Sequence, residues 1–220
     1  MLNRLDGYNA TMPPSPTDSS LLAAPREDLC LDFANTLSWR GGPQAEESLH
    51  DCAELLQWCA KNPGYAQTQL GSLEEWARAQ PQEALHLFDL AIAMREALYR
   101  IFHALATQAA VAAPDLAALN YALAQAPRRE ELVSAAAGYV WRTAPLRPSV
   151  PALLAPVLWS AADLMTRVAP QRLRQCANPK CLWLFVDTSK GGTRRWCDMN
   201  ACGNRAKAQR HYQKSKQAQP

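Results

Sequence analysis

The stretch CANPKCLWLFVDTSKGGTRRWCDMNACGNR, residues 176–205, decides the architecture of the chain. Its cysteines are Cys176, Cys181, Cys197 and Cys202, a C-x4-C-x15-C-x4-C pattern. The chain has seven cysteines, and four of them fall within the 27 residues from Cys176 to Cys202. Zinc takes four soft donors at tetrahedral corners, and two short Cys pairs separated by a loop supply them. One Zn²⁺ per chain is therefore the expected cofactor. Free cysteines and an iron site remain alternatives for the same spacing. His211 is a weaker substitute ligand, because it lies more than two helical turns beyond Cys202 and reads as an outward surface residue. Within CANPKC, Asn178 and Pro179 suit a knuckle turn. Leu182 to Val186 is strand-like, Gly191 and Gly192 turn the chain again, and CDMNAC opens a helix to about Lys216. Knuckle, hairpin and helix in this order predict a small treble-clef-like zinc module over 171–220.

The rest of the chain differs from this segment in charge. Residues 171–220 carry 11 Lys/Arg and 2 Asp/Glu, whereas residues 1–170 carry 12 and 18. A basic C-terminal part on an acidic body suggests two jobs in one chain. Across all 220 residues, 48% are hydrophobic and 20% charged, which rules out a mostly disordered protein. No apolar run reaches the roughly 18 residues a transmembrane helix needs, so no membrane association is expected. The first residues, MLNRLDGYNATMPPSPTDSS, lack a secretory apolar core, and a cytoplasmic location follows as an expectation. In that compartment cysteines serve as thiols or metal ligands rather than as disulfides.

Periodicity predicts a mainly α, multihelical domain with a minor β element over 26–170, preceded by a mobile tail over 1–25. LCLDFANTL (29–37) alternates loosely and reads as a short strand entering a loop, with a helical turn as the alternative. Ser48 can cap a helix to about Lys61, and a second helix spans about Thr68 to Ala79. The clearest helix runs from Pro81 to about Gln108, with Ala84, Phe88, Ala91, Leu98, Phe102 and Leu105 at helical spacing. Another starts near Pro114 and ends before Pro127. Residues 131–143 suit a small hairpin around Gly138. Pro145, Pro148 and Pro151 suit an extended linker, and a buried helix follows from about Val150 to Val168.

The string CGNR (202–205), preceded by RRWC (194–197) and followed by AKAQRHY, resembles the CGNR zinc finger family. LDFANT (31–36) and REAL (95–98) resemble the ABATE domain that accompanies that finger. The resemblance covers nearly everything after residue 25, and the four-cysteine pattern shows no departure from it. It implies a multihelical N-terminal domain and a stress-induced transcription regulator, mostly of bacterial occurrence.

On a helical wheel of about 100° per residue, Lys207, Arg210, His211 and Lys214 share one face of the last helix. Arg205 lies opposite with Ala208, Gln209 and Tyr212, on the face suited to packing against the zinc core. Arg194, Arg195, Lys207, Arg210 and Lys214 are the candidate DNA contacts, to phosphates or base edges. A solvated cationic face is the bland reading of the same stripe. Few aromatics are available for base stacking beyond Trp183 and Trp196, which favours double-stranded DNA over RNA. A protein-binding zinc platform stays open.

Enzyme motifs are absent: there is no P-loop, no G-x-G-x-x-G and no H-E-x-x-H. Cys30, Cys52 and Cys59 fit apolar faces and read as inert core thiols. The helical domain is expected to sense a small anionic effector or to form a homodimer, with an enzyme in that domain as the weaker alternative. Arg95 sits within the apolar stripe of the longest helix, so its charge needs a partner. Asp32 is the favoured one. The sharper alternative is an anionic ligand held by Asn35 and Arg95 in an apolar pocket.

Overall fold

The computed structural model describes residues 21–22, 28–62, 65, 67–135, 138–142, 147–208 and 212. Most of the expected tail lies outside these residues. Leu21–Leu22, however, forms an edge strand (β1) paired antiparallel with Trp141 and Arg142.

Residues 29–37 correct the strand expectation. Leu29–Ala34 is a helix (α1), with the amides of Leu31 and Asp32 donating to the Asp28 carbonyl at 2.9 and 3.1 Å. The apparent alternation misled because Leu29, Cys30, Leu31, Phe33 and Ala34 are all buried. A short helix enclosed on every side has no polar face to reveal its period. The Cys30 amide, unsatisfied within the helix, donates to Ser160 Oγ at 3.0 Å.

The chain then makes a two-stranded ribbon, β2 (Leu37–Ser38) with β3 (Glu46–Glu47), before α2 (Cys52–Lys61). Asp51 caps α2, accepting from the Glu54 amide at 2.8 Å, while Glu54 accepts from the His50 amide at 2.7 Å. Ser48 is not the cap, because the helix begins four residues later, at Cys52, where Asp51 takes that role. Helix α3 (Gln67–Ala79) follows, and Pro81 opens α4 (Pro81–Ala106) at a position that has no use for an N–H. Helix α5 (Ala113–Gln125) and the hairpin β4 (Glu131–Ala135) with β5 (Gly138–Arg142) agree with expectation.

The buried helix expected over 150–168 is broken into α6 (Val150–Leu153) and α7 (Ala155–Arg167). Pro156 causes the break: it has no N–H for the carbonyl four residues back, and its ring crowds that turn. Of the expected Pro145–Pro151 linker, residues 145–146 lie outside the described set, and Pro151 is already inside α6.

Helix α4 is the spine. It packs against α1, α2, α3 and α5, and also against the C-terminal hairpin β6 (Leu173–Gln175) with β7 (Leu184–Val186). Leu173 and Leu184 belong to the same buried cluster as Phe33, Leu98, Ile101 and Phe102. The neighbouring Phe185 joins the second cluster, with Cys176, Cys181 and Cys202. Alternate residues of a strand face opposite ways, so one short hairpin closes the helical core on one side and floors the cysteine cluster on the other.

Candidate metal centre and its surroundings

The knuckle between β6 and β7 presents Cys176 and Cys181. Its turn is closed by Asn178, whose carbonyl accepts from the Cys181 amide at 2.9 Å and whose Oδ1 accepts from the Lys180 amide at 3.1 Å. The second pair reaches the first through a loop organised by Asp187. This buried carboxylate accepts from the Ser189 hydroxyl at 2.6 Å, the Ser189 amide at 2.9 Å and the Arg194 amide at 2.8 Å. Those bonds, the Ser189 hydroxyl foremost, hold its pKa below the usual carboxylate range. The Ala177 amide then donates to the Arg195 carbonyl at 2.8 Å, tying the two halves together. Asp198 accepts from the Ala201 amide at 2.6 Å and caps a wide turn, Met199–Gly203, closed by the Gly203 amide on the Asp198 carbonyl at 3.0 Å. The turn runs into helix at 204–208. The continuation expected to about Lys216 lies outside the described residues, apart from Tyr212.

The sulfur atoms of Cys176, Cys181, Cys197 and Cys202 all lie within 4.8 Å of one another. Cys181 Sγ is 3.6 Å from Cys197 Sγ, which is 3.8 Å from Cys202 Sγ. A zinc–sulfur bond of about 2.3 Å in a tetrahedron requires sulfur–sulfur edges of about 3.8 Å, so the donor set fits zinc. Its electrostatics ask for a cation as well. The Cys181 and Cys197 thiols hold Cys176 as thiolate, far below the ordinary thiol range. The same contacts push Cys181 and Cys197 up. Thiolates brought this close repel one another, and a bound cation offsets that charge. Asn178 Nδ2 donates to Cys202 Sγ at 3.4 Å, orienting one ligand.

The candidate contact residues divide. Arg194 turns inward: its Nε donates to the Trp196 carbonyl at 2.8 Å, its Nη2 to the Cys197 carbonyl, and its guanidinium lies 4.6 Å from the Phe185 ring centre. Arg195 is exposed, with its guanidinium 5.4 Å from the Trp196 ring. Lys207 is exposed on the helix. Arg210, His211 and Lys214 lie outside the described residues. Arg205 reaches the side of the cysteine cluster through Trp39, a ring packed against that cluster. Its guanidinium stacks 4.5 Å from the ring centre of Trp39, in the helical domain.

The residues expected to hold an effector have other partners. Asn35 spends both ends of its amide on one strand residue: Nδ2 donates to the Leu184 carbonyl at 2.9 Å, and Oδ1 accepts from the Leu184 amide at 3.1 Å. It extends the β6–β7 pair by one peptide-like group and clips the metal module to α1. Arg95, 2% exposed, does pair inside the protein, but its carboxylate partners are Glu47 at 2.7 Å and Glu96 at 2.9 Å, not Asp32. Thr36 Oγ1 accepts a further bond at 3.2 Å. The strand β3 brings Glu47 under α4, a placement invisible in a pattern of short polar residues.

Glu96 also receives Arg40 at 2.7 Å, and Arg40 lies 3.9 Å from the ring centre of Tyr99. The Tyr99 hydroxyl donates to the Leu182 carbonyl at 3.1 Å. A continuous polar line thus runs from β3 through α4 to the knuckle. None of Glu47, Arg40, Tyr99 or Trp39 was picked out from sequence, since their partners are distant along the chain.

Against this geometry, comparison with known families gives two matches. Residues 27–168 match the ABATE model, described as "Putative stress-induced transcription regulator". The chain belongs to the ABATE family. Residues 172–215 match the CGNR zinc finger, which contains all four cysteines of the cluster and can hold one zinc ion. ABATE domain and finger meet between residues 168 and 172, in the short turn Pro170–Arg172 before β6. The two matched segments nevertheless share one hydrophobic core. A search of curated proteins finds no match. Among the described residues, no helix is long and apolar enough to cross a membrane.

Proposed function

We propose that the chain is a zinc-dependent transcription regulator whose CGNR finger binds double-stranded DNA. The supporting observation is how the two segments treat their cations. In the ABATE domain Arg40, Arg95, Arg100, Arg129 and Arg142 each meet a carboxylate. In the finger, guanidinium bonds go to neutral carbonyls instead: Arg172 to Asp187 and Ser189, Arg174 to Gly192, Arg194 to Trp196 and Cys197. Carbonyls fix a guanidinium without cancelling its charge, so the module keeps its positive field for an anionic partner. Arg195, Lys207, Arg210 and Lys214 are the contacts assigned to phosphates or base edges, and Arg194 supports the metal loop.

The ABATE domain supplies regulation in this reading. A cavity of about 700 Å³, lined by Trp76, His86, Tyr121 and Arg147 among others, has the size of a small-molecule site and takes the effector role first considered for Asn35 and Arg95. Duplex binding by the zinc-loaded full chain across a salt series tests the function. Lys207→Ala with Arg210→Ala should weaken binding and flatten the salt slope by about two units while zinc is retained. Equal binding at low and high salt would count against the DNA reading.

A further inference from the structure

Where the ABATE domain meets the finger there is an open cleft of about 620 Å³, lined by Trp39, Gly42 and Glu46 on one side and Lys180 and Arg205 on the other. We propose that this cleft holds a backbone phosphodiester of the bound duplex, so that the DNA-binding surface is built by both domains. The proposal rests on the DNA-binding reading and names a place that reading does not include.

Arg205 carries the argument. Its guanidinium lies 4.5 Å from the Trp39 ring centre. A guanidinium over an aromatic ring engages it through its charge and leaves its N–H groups for hydrogen bonds. Among the described residues, no carboxylate or carbonyl accepts from those groups. Arg40, Arg95, Arg100 and Arg129 in the ABATE domain each have a carboxylate on their N–H groups, whereas Arg205 has none among the described residues. Lys180 adds a second exposed cation, and no carboxylate among the described residues pairs with it.

The cleft wall is fixed in place. Trp39 has φ 53°, a left-handed backbone that strains a non-glycine residue. Leu182, at the end of the knuckle, has φ 58°. The two strained residues flank a backbone contact so close that a Cβ on Gly41 would stand 1.9 Å from the Pro179 carbonyl oxygen. The loop is therefore seated directly on the knuckle, and the Trp39 ring is delivered to Arg205 before any ligand arrives.

Glu46 selects the kind of anion. Its carboxylate lines the same cleft and opposes negative charge. A phosphodiester brings one charge, whereas a free phosphate brings between one and two near neutral pH and a nucleoside triphosphate more. The diester is the phosphate least penalised, and a duplex supplies it along with further contacts for the finger.

The test uses the zinc-loaded full chain and a fluorescent duplex of about 20 base pairs, with binding measured across a salt series and zinc content measured for each variant. Lys180→Ala and Arg205→Gln should each flatten the salt slope by about one unit and weaken binding about five- to tenfold at 0.1 M salt, with zinc unchanged. Trp39→Ala should weaken binding on its own and add nothing to Arg205→Gln, which shows that Trp39 acts by positioning Arg205. Millimolar inorganic phosphate should compete no better than chloride of equal ionic strength. If Lys207→Ala with Arg210→Ala weakens binding while Lys180→Ala and Arg205→Gln do not, the cleft is no part of the interface and the DNA reading survives. If inorganic phosphate competes specifically, the site belongs to free anions and the diester assignment is wrong. If the unmodified chain binds no duplex, both readings fail together.

Discussion

The ABATE domain and the CGNR finger are held together by different means. The former buries Phe33, Leu98, Ile101, Phe102 and Leu158 completely, and apolar area is its main stabilisation. Among the described residues, the finger has a second cluster of four buried side chains, three of them cysteines, with Phe185 as the fourth. Such a cluster is too small to offset the entropy of ordering its loops, so metal coordination must do so. The difference teaches that the finger is dependent twice over, on zinc for its outer half and on the helical core for its hairpin. Leu173 and Leu184 leave the finger's own core altogether and complete that of the ABATE domain.

The sharpest way to break this comparison is to remove the metal. Structural zinc contributes on the order of 10 kcal/mol or more to folding. Cys181→Ser or Cys202→Ser should abolish stoichiometric zinc and unfold the finger. Because the hairpin closes the helical core, the melting temperature of the ABATE domain should fall as well. A helical domain that melts unchanged without zinc would show that the shared core carries no stability.

Arg95→Ala comes next. It removes the guanidinium from Glu47, while Glu96 keeps Arg40, and losing charge-assisted hydrogen bonds to these partly exposed carboxylates costs about 1.5–3 kcal/mol. Zinc content should not change. Glu47→Ala should cost less, and the double variant should show strong coupling in denaturant titrations. Additive effects would mean that Glu47 is not the main partner of Arg95.

Asn35→Ala separates the two domains more gently. It leaves the buried Leu184 peptide without two partners, for about 1–3 kcal/mol. Loosened attachment should appear as faster amide exchange in β7 than in α4. Equal exchange in both elements would assign the clip no role.

The smallest effect concerns acid. Partial burial pushes the Glu47 carboxyl up, but the Arg95 hydrogen bond and the Leu49 and Ser48 amides outweigh it and hold the pKa below 4.5. Glu96 is likewise lowered against its burial, by Arg40 and then Arg95. A depressed folded value means that this stability is fully present above about 4.5 and is lost as the pH falls through the folded value. Unfolding free energy measured from pH 6 downward should therefore decline below 4.5, and less so in Arg95→Ala.

What the sequence determined by itself was local or repetitive. Four cysteines at a fixed spacing specify tetrahedral thiolate chemistry whatever surrounds them, and the sulfur distances agree. The period of residues 81–106 specifies a helix, since one buried stripe recurs over many turns. A lone arginine in that stripe announces a buried charge, and Arg95 is buried and paired. Tertiary structure alone decided the rest. Residues 29–34 hide their helical period because five of the six are buried against neighbouring elements, which removes the contrast that a pattern needs. The partner of Arg95 is set by the ribbon that brings Glu47 beneath α4, 48 residues away in sequence. Asn35 meets Leu184 across 149 residues, and Arg205 finds Trp39 only because the loop of one domain is seated on the knuckle of the other. A spacing carries the chemistry of side chains close along the chain; which distant groups share a hydrogen bond is fixed by packing.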